Sequence, residues 1–222
     1  MESTAGEYFG ARVREYDALI RACVPRYDEM LERLVAYLPA GAERILELGT
    51  GTGNLALAVA GRFPAAQLML VDAAPEMLAV AGERLPQAEP IVARFEALEL
   101  PAASFDLVTS AISLHHVEDK AALYRTLYGC LRPGGALVFA DQLLGRTADL
   151  HGLNWEAWLA HCRLPGHCTE EQTQSFLDHA EAHDHYTPLE EHFELLRAAG
   201  FVELDCVWRN WIWGIVHARR PS

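Results

Sequence analysis

The sequence predicts an α/β fold, a mostly parallel sheet with helices on both faces, and three observations predict it. Between residues 44 and 140, short apolar runs alternate with segments of helical period, the pattern of successive strand, helix, strand units. Glycine stands at 49, 51 and 53, directly after Ile45-Leu46-Glu47-Leu48, where a buried strand must turn tightly into a helix. The next apolar run, Leu68-Met69-Leu70-Val71, ends in the carboxylate of Asp72, and such sheets bind ligands beyond the carboxyl ends of their strands.

The elements follow in order. From about residue 6 to 38, Tyr16, Leu19, Ile20 and Cys23, then Tyr27, Met30, Leu31, Leu34, Val35 and Leu38 recur at helical spacing with a break at Pro25, so two helices precede the sheet. Strand one is 44 to 48, a helix starts at Asn54, and strand two is 67 to 72. Pro75 opens the next helix, where proline's missing N-H costs nothing. Strand three is expected near 90 to 95, strand four at 105 to 110, a helix over 119 to 131 and strand five at 135 to 140. Residues 142 to 185 break the alternation. They hold Trp155, Trp158, Leu159, histidines and two cysteines, and an insertion after strand five would lie over the strands' carboxyl ends as a helical lid. Leu189 to Ala199 is amphipathic, Gly200 suits the position after a helix, and Phe201 to Trp208 with Trp211 to Ala218 reads as a closing hairpin.

Composition bounds the function. The 222 residues suffice for one substantial core, and no Ser/Gly/Pro linker divides them, so a single domain is expected. Eighteen basic against thirty-one acidic residues give a net charge of -13, which argues against nucleic acid as a partner. Arg12, Arg14, Arg21 and Arg26 are the nearest thing to a basic patch. No apolar stretch of membrane-spanning length occurs, and Met1-Glu2-Ser3-Thr4 lacks a signal-peptide pattern, so a cytoplasmic protein with no membrane contact is expected. Five cysteines without framework spacing suggest reduced thiols.

The glycine turn and Asp72 together read as a nucleoside site, since the carboxylate can accept hydrogen bonds from both ribose hydroxyls. The dinucleotide fingerprint G-x-G-x-x-G is not met. The third glycine comes one residue early and Asn54 stands where that fingerprint wants glycine, which disfavours a pyrophosphate. The run Glu47-Leu48-Gly49-Thr50-Gly51-Thr52-Gly53 instead resembles motif I of the class I S-adenosylmethionine-dependent methyltransferases. Asp72-Ala73-Ala74-Pro75-Glu76-Met77-Leu78 resembles their "vDxSpxML" segment. Phe105 to Ala111 with Leu114-His115-His116-Val117 resembles their fourth strand and the turn after it, and Leu131-Arg132-Pro133-Gly134-Gly135-Ala136-Leu137-Val138 their entry to strand five. The resemblance spans roughly residues 44 to 141. It implies a Rossmann-like, seven-stranded sheet whose last strand is antiparallel, and S-adenosyl-L-methionine as cofactor.

The resemblance also implies site residues. Gly49, Thr50, Gly51 and Gly53 would surround the cofactor, the glycines by close backbone approach. Asp72 would take the ribose, with Ala73 and Met77 following it, and Glu47 would orient the methionine amino group. The competing reading of Glu47 is a salt bridge to Arg44 or Arg12, and that of Asp72 a helix N-cap. Ser110 and Ala111 would lie beside the methionine moiety. Where many relatives have Gly-Asp before the segment resembling Glu96-Ala97-Leu98, this chain has Ala93-Arg94-Phe95, and arginine cannot accept from the adenine amino group. The base is therefore expected near Phe95 and Glu96, with Arg94 a neighbour or a surface cation.

Val24-Pro25-Arg26-Tyr27 resembles a "VPGY" segment of the carboxy-S-adenosylmethionine synthases and their methyltransferase relatives, which implies Tyr27 at the cofactor's methionine end; a core tyrosine is the alternative. Those synthases pair a lid arginine with the extra carboxylate, and the corresponding residue here is Phe176, followed by Leu177. Neither can do so, which favours methyl transfer. His115 and His116 are the catalytic candidates, one facing the active-site mouth as a base or substrate holder, the other bonding backbone. His161-Cys162, His167-Cys168 and the trio His179, His183 and His185 offer metal-ligand types, but without C-x-x-C spacing no metal is expected. The five tryptophans could line an acceptor pocket or pack the core. Methyl transfer to a small molecule by a monomer or homodimer is the leading expectation. A synthase of a modified S-adenosylmethionine and a non-catalytic regulatory subunit are the rivals.

Overall fold

The computed structural model describes residues 5–10, 13 and 15–222. Met1 to Thr4, Arg12 and Arg14 lie outside the described residues. Of the other two N-terminal arginines, Arg21 pairs with Asp28 at 3.1 Å and Arg26 with Glu29 at 2.5 Å, so neither is a free cation.

Among the described residues three helices precede the sheet: α1 (Ala5–Gly10), α2 (Tyr16–Cys23) and α3 (Tyr27–Ala36). The sequence expectation of two is thus one short. The break between α2 and α3 falls at Val24 to Arg26, where Pro25 interrupts the helical ladder. Then come β1 (Arg44–Leu48), α4 (Asn54–Arg62), β2 (Gln67–Asp72), α5 (Pro75–Arg84) and β3 (Glu89–Val92). They are followed by β4 (Phe105–Ala111), α6 (Lys120–Cys130) and β5 (Leu131–Leu144). The chain continues with α7 (Ala148–Cys162), α8 (Glu170–His183), β6 (Thr187–Pro188), α9 (Leu189–Ala199), β7 (Val202–Asn210) and β8 (Trp213–Arg219).

The main sheet has the order β3-β2-β1-β4-β5-β8-β7, with the two-residue β6 added beside the end of β5. Pairs from β3 to β5 are parallel, and β8 runs antiparallel to both β5 and β7. The structure thus has the expected seven strands and antiparallel last strand, plus one short pairing. Strand five is longer than expected. Its register with β4 jumps from Phe105 opposite Leu131 to Leu107 opposite Ala136, so Arg132 to Gly135 bulge out and pairing resumes on the far side. Strand three is shorter, because the chain turns into a 3-10 turn at Phe95–Ala97.

Alternate strand residues feed two cores. Ile45, Leu107 and Val138 join Met30, Leu34, Val59 and Ala81 on one face, while Leu46, Val108 and Leu137 join Tyr124, Leu127 and Leu196 on the other. Central strands buried on both sides explain why β1, β2 and β4 read as nearly continuous apolar runs. The alternation also puts Glu47 on the face of Ile45, toward α3 and α4.

Candidate cofactor and acceptor site

The site begins where β1 ends. Gly49, Gly51 and Gly53 have φ of +63°, +55° and +89°, a region that costs an L side chain about 1–2 kcal/mol. Gly49 also has no room for one: a Cβ there would sit 2.2 Å from Cβ and Oγ of Ser113. A Cβ on Gly53 would meet Ala81 at 3.2 Å, so this glycine brings α4 close to α5.

The loop is held on both sides. The Asp72 carboxylate accepts from the Gly51 N-H and the Ala74 N-H, each at 2.8 Å. Each carboxylate oxygen keeps a lone pair for a further donor. Burial raises the Asp72 pKa above the ordinary aspartate value, against the pull of these backbone donors. On the other side Asn54 donates to Asp17 at 3.0 Å and to the Tyr27 hydroxyl at 3.4 Å. Asp17 also accepts from Thr52 and pairs with Arg84, both at 2.5 Å. The residue that broke the dinucleotide pattern therefore fastens the glycine loop to the N-terminal helices.

A cavity of about 870 Å³ opens beyond the strand ends. Its walls include Gly49, Gly51, Asp72, Ala73, Met77, Phe95 and Glu96, together with His116, eight of the residues the sequence singled out. Glu47, Thr50, Gly53, Ser110 and Ala111 lie behind the wall or within the strands. Ser110 is buried, 2.7 Å from Ser113 by its hydroxyl, and the cavity is met instead by Ile112 and Ser113. Ile112 holds φ at +59°, a strained conformation for a β-branched residue, with its N-H bonded to Ala140 O at 2.8 Å.

Tyr27 is buried with its hydroxyl on Asn54 and is not on the cavity wall, whereas Tyr16 is. No motif in the sequence marks Tyr16. Its position one helix earlier follows from the packing of α2 beside Gly51, whose absent Cβ would lie 3.5 Å from the Tyr16 ring. Helix α1 covers the α5 side, with Gly6 against Ala73.

Glu47 is 2% exposed, and its Oε2 has no hydrogen-bond partner. The Ala56 N-H donates to the carboxylate, but burial, with Asp72 nearby adding to it, pushes the pKa up to about 8. No ion pair joins it to Arg44, whose side chain lies over the Phe105 ring.

The histidines gather around Asp184, the residue after α8. His116 Nδ1 lies 2.9 Å from Asp184 Oδ1, with His115 Nε2 at 3.7 Å and His179 Nε2 at 3.8 Å. Tyr186 donates to the other oxygen at 2.5 Å. His115 Nδ1 faces Asp141 Oδ1 at 2.5 Å. Burial lowers the His115 pKa, but the carboxylates of Asp141 and Asp184 outweigh it and raise the pKa overall. His116 is lowered, by burial first and then by the adjacent His115. The end of α8 is stitched down: His185 N-H donates to His115 O at 2.7 Å, and the buried Lys120 ammonium donates to His185 O and to Val117 O.

Asp141 and Asp184 escaped the sequence reading. Asp141 ends the apolar part of β5, as Asp72 ends β2, and a carboxylate at a strand's carboxyl end was the available signal. Asp184 carried none, because its partners are distant in sequence. The lid also divides in two. Ala182, His183 and His185 reach the cavity, whereas α7 turns its aromatic residues to the N-terminal helices, Trp158 Nε1 donating to Cys23 O at 2.8 Å. No tryptophan lines the cavity: Trp155, Trp158, Trp208 and Trp213 pack the core, and Trp211 is exposed.

Comparison with known proteins supports the resemblance carried by the motifs. A model described as a methyltransferase domain matches residues 45–135. A demethylmenaquinone methyltransferase of Thermus thermophilus is 38% identical over 136 residues, covering 53% of this chain and 61% of that protein. Over this segment the chain is thus similar to the class I S-adenosylmethionine-dependent methyltransferases. A malonyl-[acyl-carrier protein] O-methyltransferase of Marinomonas sp. is 36% identical over 125 residues, or 54% of this chain and 46% of the relative. The chain thus spans about half to three fifths of the length of these curated relatives. Among solved structures, phosphoethanolamine N-methyltransferase 2 of Haemonchus contortus, bound to S-adenosyl-L-methionine, superposes with a TM-score of 0.71 at 19% identity. That match covers 98% of this chain and 59% of the other, and establishes the likeness of fold.

The site suits S-adenosyl-L-methionine on its own geometry. Asp72 is anchored with lone pairs to spare, and the orphaned Glu47 oxygen is an acid that an ammonium group would satisfy. Among the described residues, no helix is long and apolar enough to cross a membrane.

Proposed function

We propose that this chain, as a single domain over residues 1–222, transfers a methyl group from S-adenosyl-L-methionine to a small molecule, as a monomer or homodimer in the cytoplasm. The carrying observation is that one cavity bears both Asp72, fixed by two backbone N-H groups, and His116, backed by Asp184. The bound cofactor supplies an electrophilic sulfonium methyl. The chain's own work is positioning and exclusion of water. Asp72 accepts the ribose hydroxyls, Phe95 and Glu96 flank the base, Met77 and Tyr16 wall the nucleoside, and Glu47 draws the ammonium end inward. His116 meets the acceptor and holds its proton. His115 acts through its neighbours, its ring fixed by Asp141.

A volume near 870 Å³ lies high in the range of about 300–1,000 Å³ for small-molecule pockets, which leaves room for an acceptor beside the cofactor. The net charge of -13 supports a small acceptor over a nucleic acid. The relatives are named for demethylmenaquinone and for a malonyl group on acyl carrier protein, so quinol-like and acyl acceptors head the panel. Phe176 packs against the core rather than the cavity, which weighs against a synthase of carboxy-S-adenosylmethionine. Incubation with S-adenosyl-L-methionine and an acceptor panel tests the reading. Release of S-adenosylhomocysteine with one acceptor supports it; binding without turnover on any acceptor would favour a regulatory subunit.

A further inference from the structure

The histidines around Asp184 do more than flank an acceptor. Three side chains, His115, His116 and Asp184, bring one ligand atom each within 4.8 Å of one another. They come from the turn after β4 and the residue after α8, two segments already joined by the His185-to-His115 backbone bond. Ligand atoms at about 2.0–2.2 Å from a tetrahedral ion stand about 3.3–3.6 Å apart, and the separations here, 2.9 and 3.7 Å to Asp184 Oδ1, bracket that. The same oxygen is buried, and imidazole nitrogens approach it from three residues.

The surroundings match a metal site as well. His115 holds its Nδ1 against Asp141 at 2.5 Å, so Nε2, the atom facing Asp184, is the ring nitrogen that a cation would ligate in place of a proton. A carboxylate behind a ligating histidine is the usual outer support of such a site. Two imidazoles and one carboxylate suit zinc-type ions and are a poor set for magnesium or calcium, which prefer all-oxygen shells.

The geometry points to a divalent transition-metal site of the zinc type formed by His115, His116 and Asp184, in a chain whose sequence predicts none. Three protein ligands leave a position exchangeable. It faces the cavity, because His116, with 16% of its side chain exposed against 4% and 3% for the others, is the ligand on the cavity wall. The ion ties the end of α8 to the strand ends. With the ion in place, the acceptor meets that exchangeable position instead of the His116 imidazole.

Titration of Zn²⁺ into the chelator-treated full chain, followed by calorimetry and repeated with Co²⁺ followed by visible absorption, tests this. One equivalent is expected, with tetrahedral Co²⁺ bands. Asp184→Asn should weaken binding at least 100-fold and Asp141→Asn about 10–100-fold, the range for loss of an outer carboxylate. Should Asp184→Asn not fold, His116→Gln on the cavity wall carries the same expectation. The rival cluster of His161, Cys162, His167 and Cys168 is checked by His167→Ala, which should leave Zn²⁺ binding unchanged. No binding, or binding abolished by His167→Ala and indifferent to His116→Gln, overturns the site. S-adenosylhomocysteine affinity measured in parallel separates the outcomes: intact nucleoside binding without Zn²⁺ refutes the metal alone.

Discussion

Gly49 and Ser113 occupy one space: a Cβ on the first would lie 2.2 Å from the Cβ and Oγ of the second. Ser113 is anchored there by hydrogen bonds to Leu48 O at 3.2 Å and to the Ser110 hydroxyl. The first glycine of the loop is therefore required by the protein's own turn after β4 as much as by any ligand. Gly49→Ala should destabilise by at least about 2 kcal/mol, from a positive φ and overlap together. In a Ser113→Gly background the same substitution should cost about 1 kcal/mol less. Urea unfolding of the four proteins reads the cycle; equal costs in both backgrounds would remove the overlap.

Glu47 gives a pH prediction with a definite sign. Its folded pKa, about 8, lies above the ordinary value of 4.5, so the unfolded chain loses this proton first. Cofactor-free stability from this group is full below about pH 4.5 and is lost as pH rises toward 8. Glu47→Gln should flatten that window in denaturant unfolding across pH. An ammonium brought beside the carboxyl lowers its pKa, so S-adenosylhomocysteine binding near pH 7 should release close to one proton. Calorimetry in buffers of different ionisation enthalpy measures it, and Glu47→Gln should abolish the release.

Tyr16 and Tyr27 differ in what they can do for the cofactor. Tyr16 is on the cavity wall beside Gly51, while Tyr27 is turned to Asn54. Tyr16→Ala should weaken S-adenosylhomocysteine roughly tenfold, a loss of about 1.4 kcal/mol, and Tyr27→Phe less than twofold. The reverse order would restore the role that the "VPGY" resemblance implies.

His116 should separate turnover from cofactor binding. A group that handles the acceptor's proton contributes about 10²–10⁴-fold, so His116→Gln should lower kcat by at least 100-fold with whichever acceptor is found. S-adenosylhomocysteine affinity should stay within threefold of the unsubstituted protein. A matching fall in both would mean the histidine serves the fold of the cavity.

The cofactor half of the molecule was readable because it is local. Glycines at 49, 51 and 53, Asp72 and Pro75 each act through the backbone of their own turn, and β1, β2, α5 and α9 start and stop where glycine, proline and apolar run lengths place them. Strand five was underread, because four residues bulge from it before pairing resumes, and periodicity cannot see a bulge. The acceptor half depends on contacts across the chain. Asp184 meets His116 from 68 positions away, and Trp158 reaches Cys23 from 135. Two indole rings in an insertion look alike in sequence whether they face a substrate or the core, and packing decided for the core.

The most direct measurement is calorimetric titration of the full chain with S-adenosylhomocysteine, alongside Asp72→Ala. Two hydrogen bonds to a carboxylate, at about 1.5–3 kcal/mol each, set the scale. One-site binding is expected, with Asp72→Ala weaker by at least about 100-fold while still folded by circular dichroism. No heat with the unsubstituted chain, or equal affinity for the folded Asp72→Ala protein, would contradict a nucleoside held by Asp72.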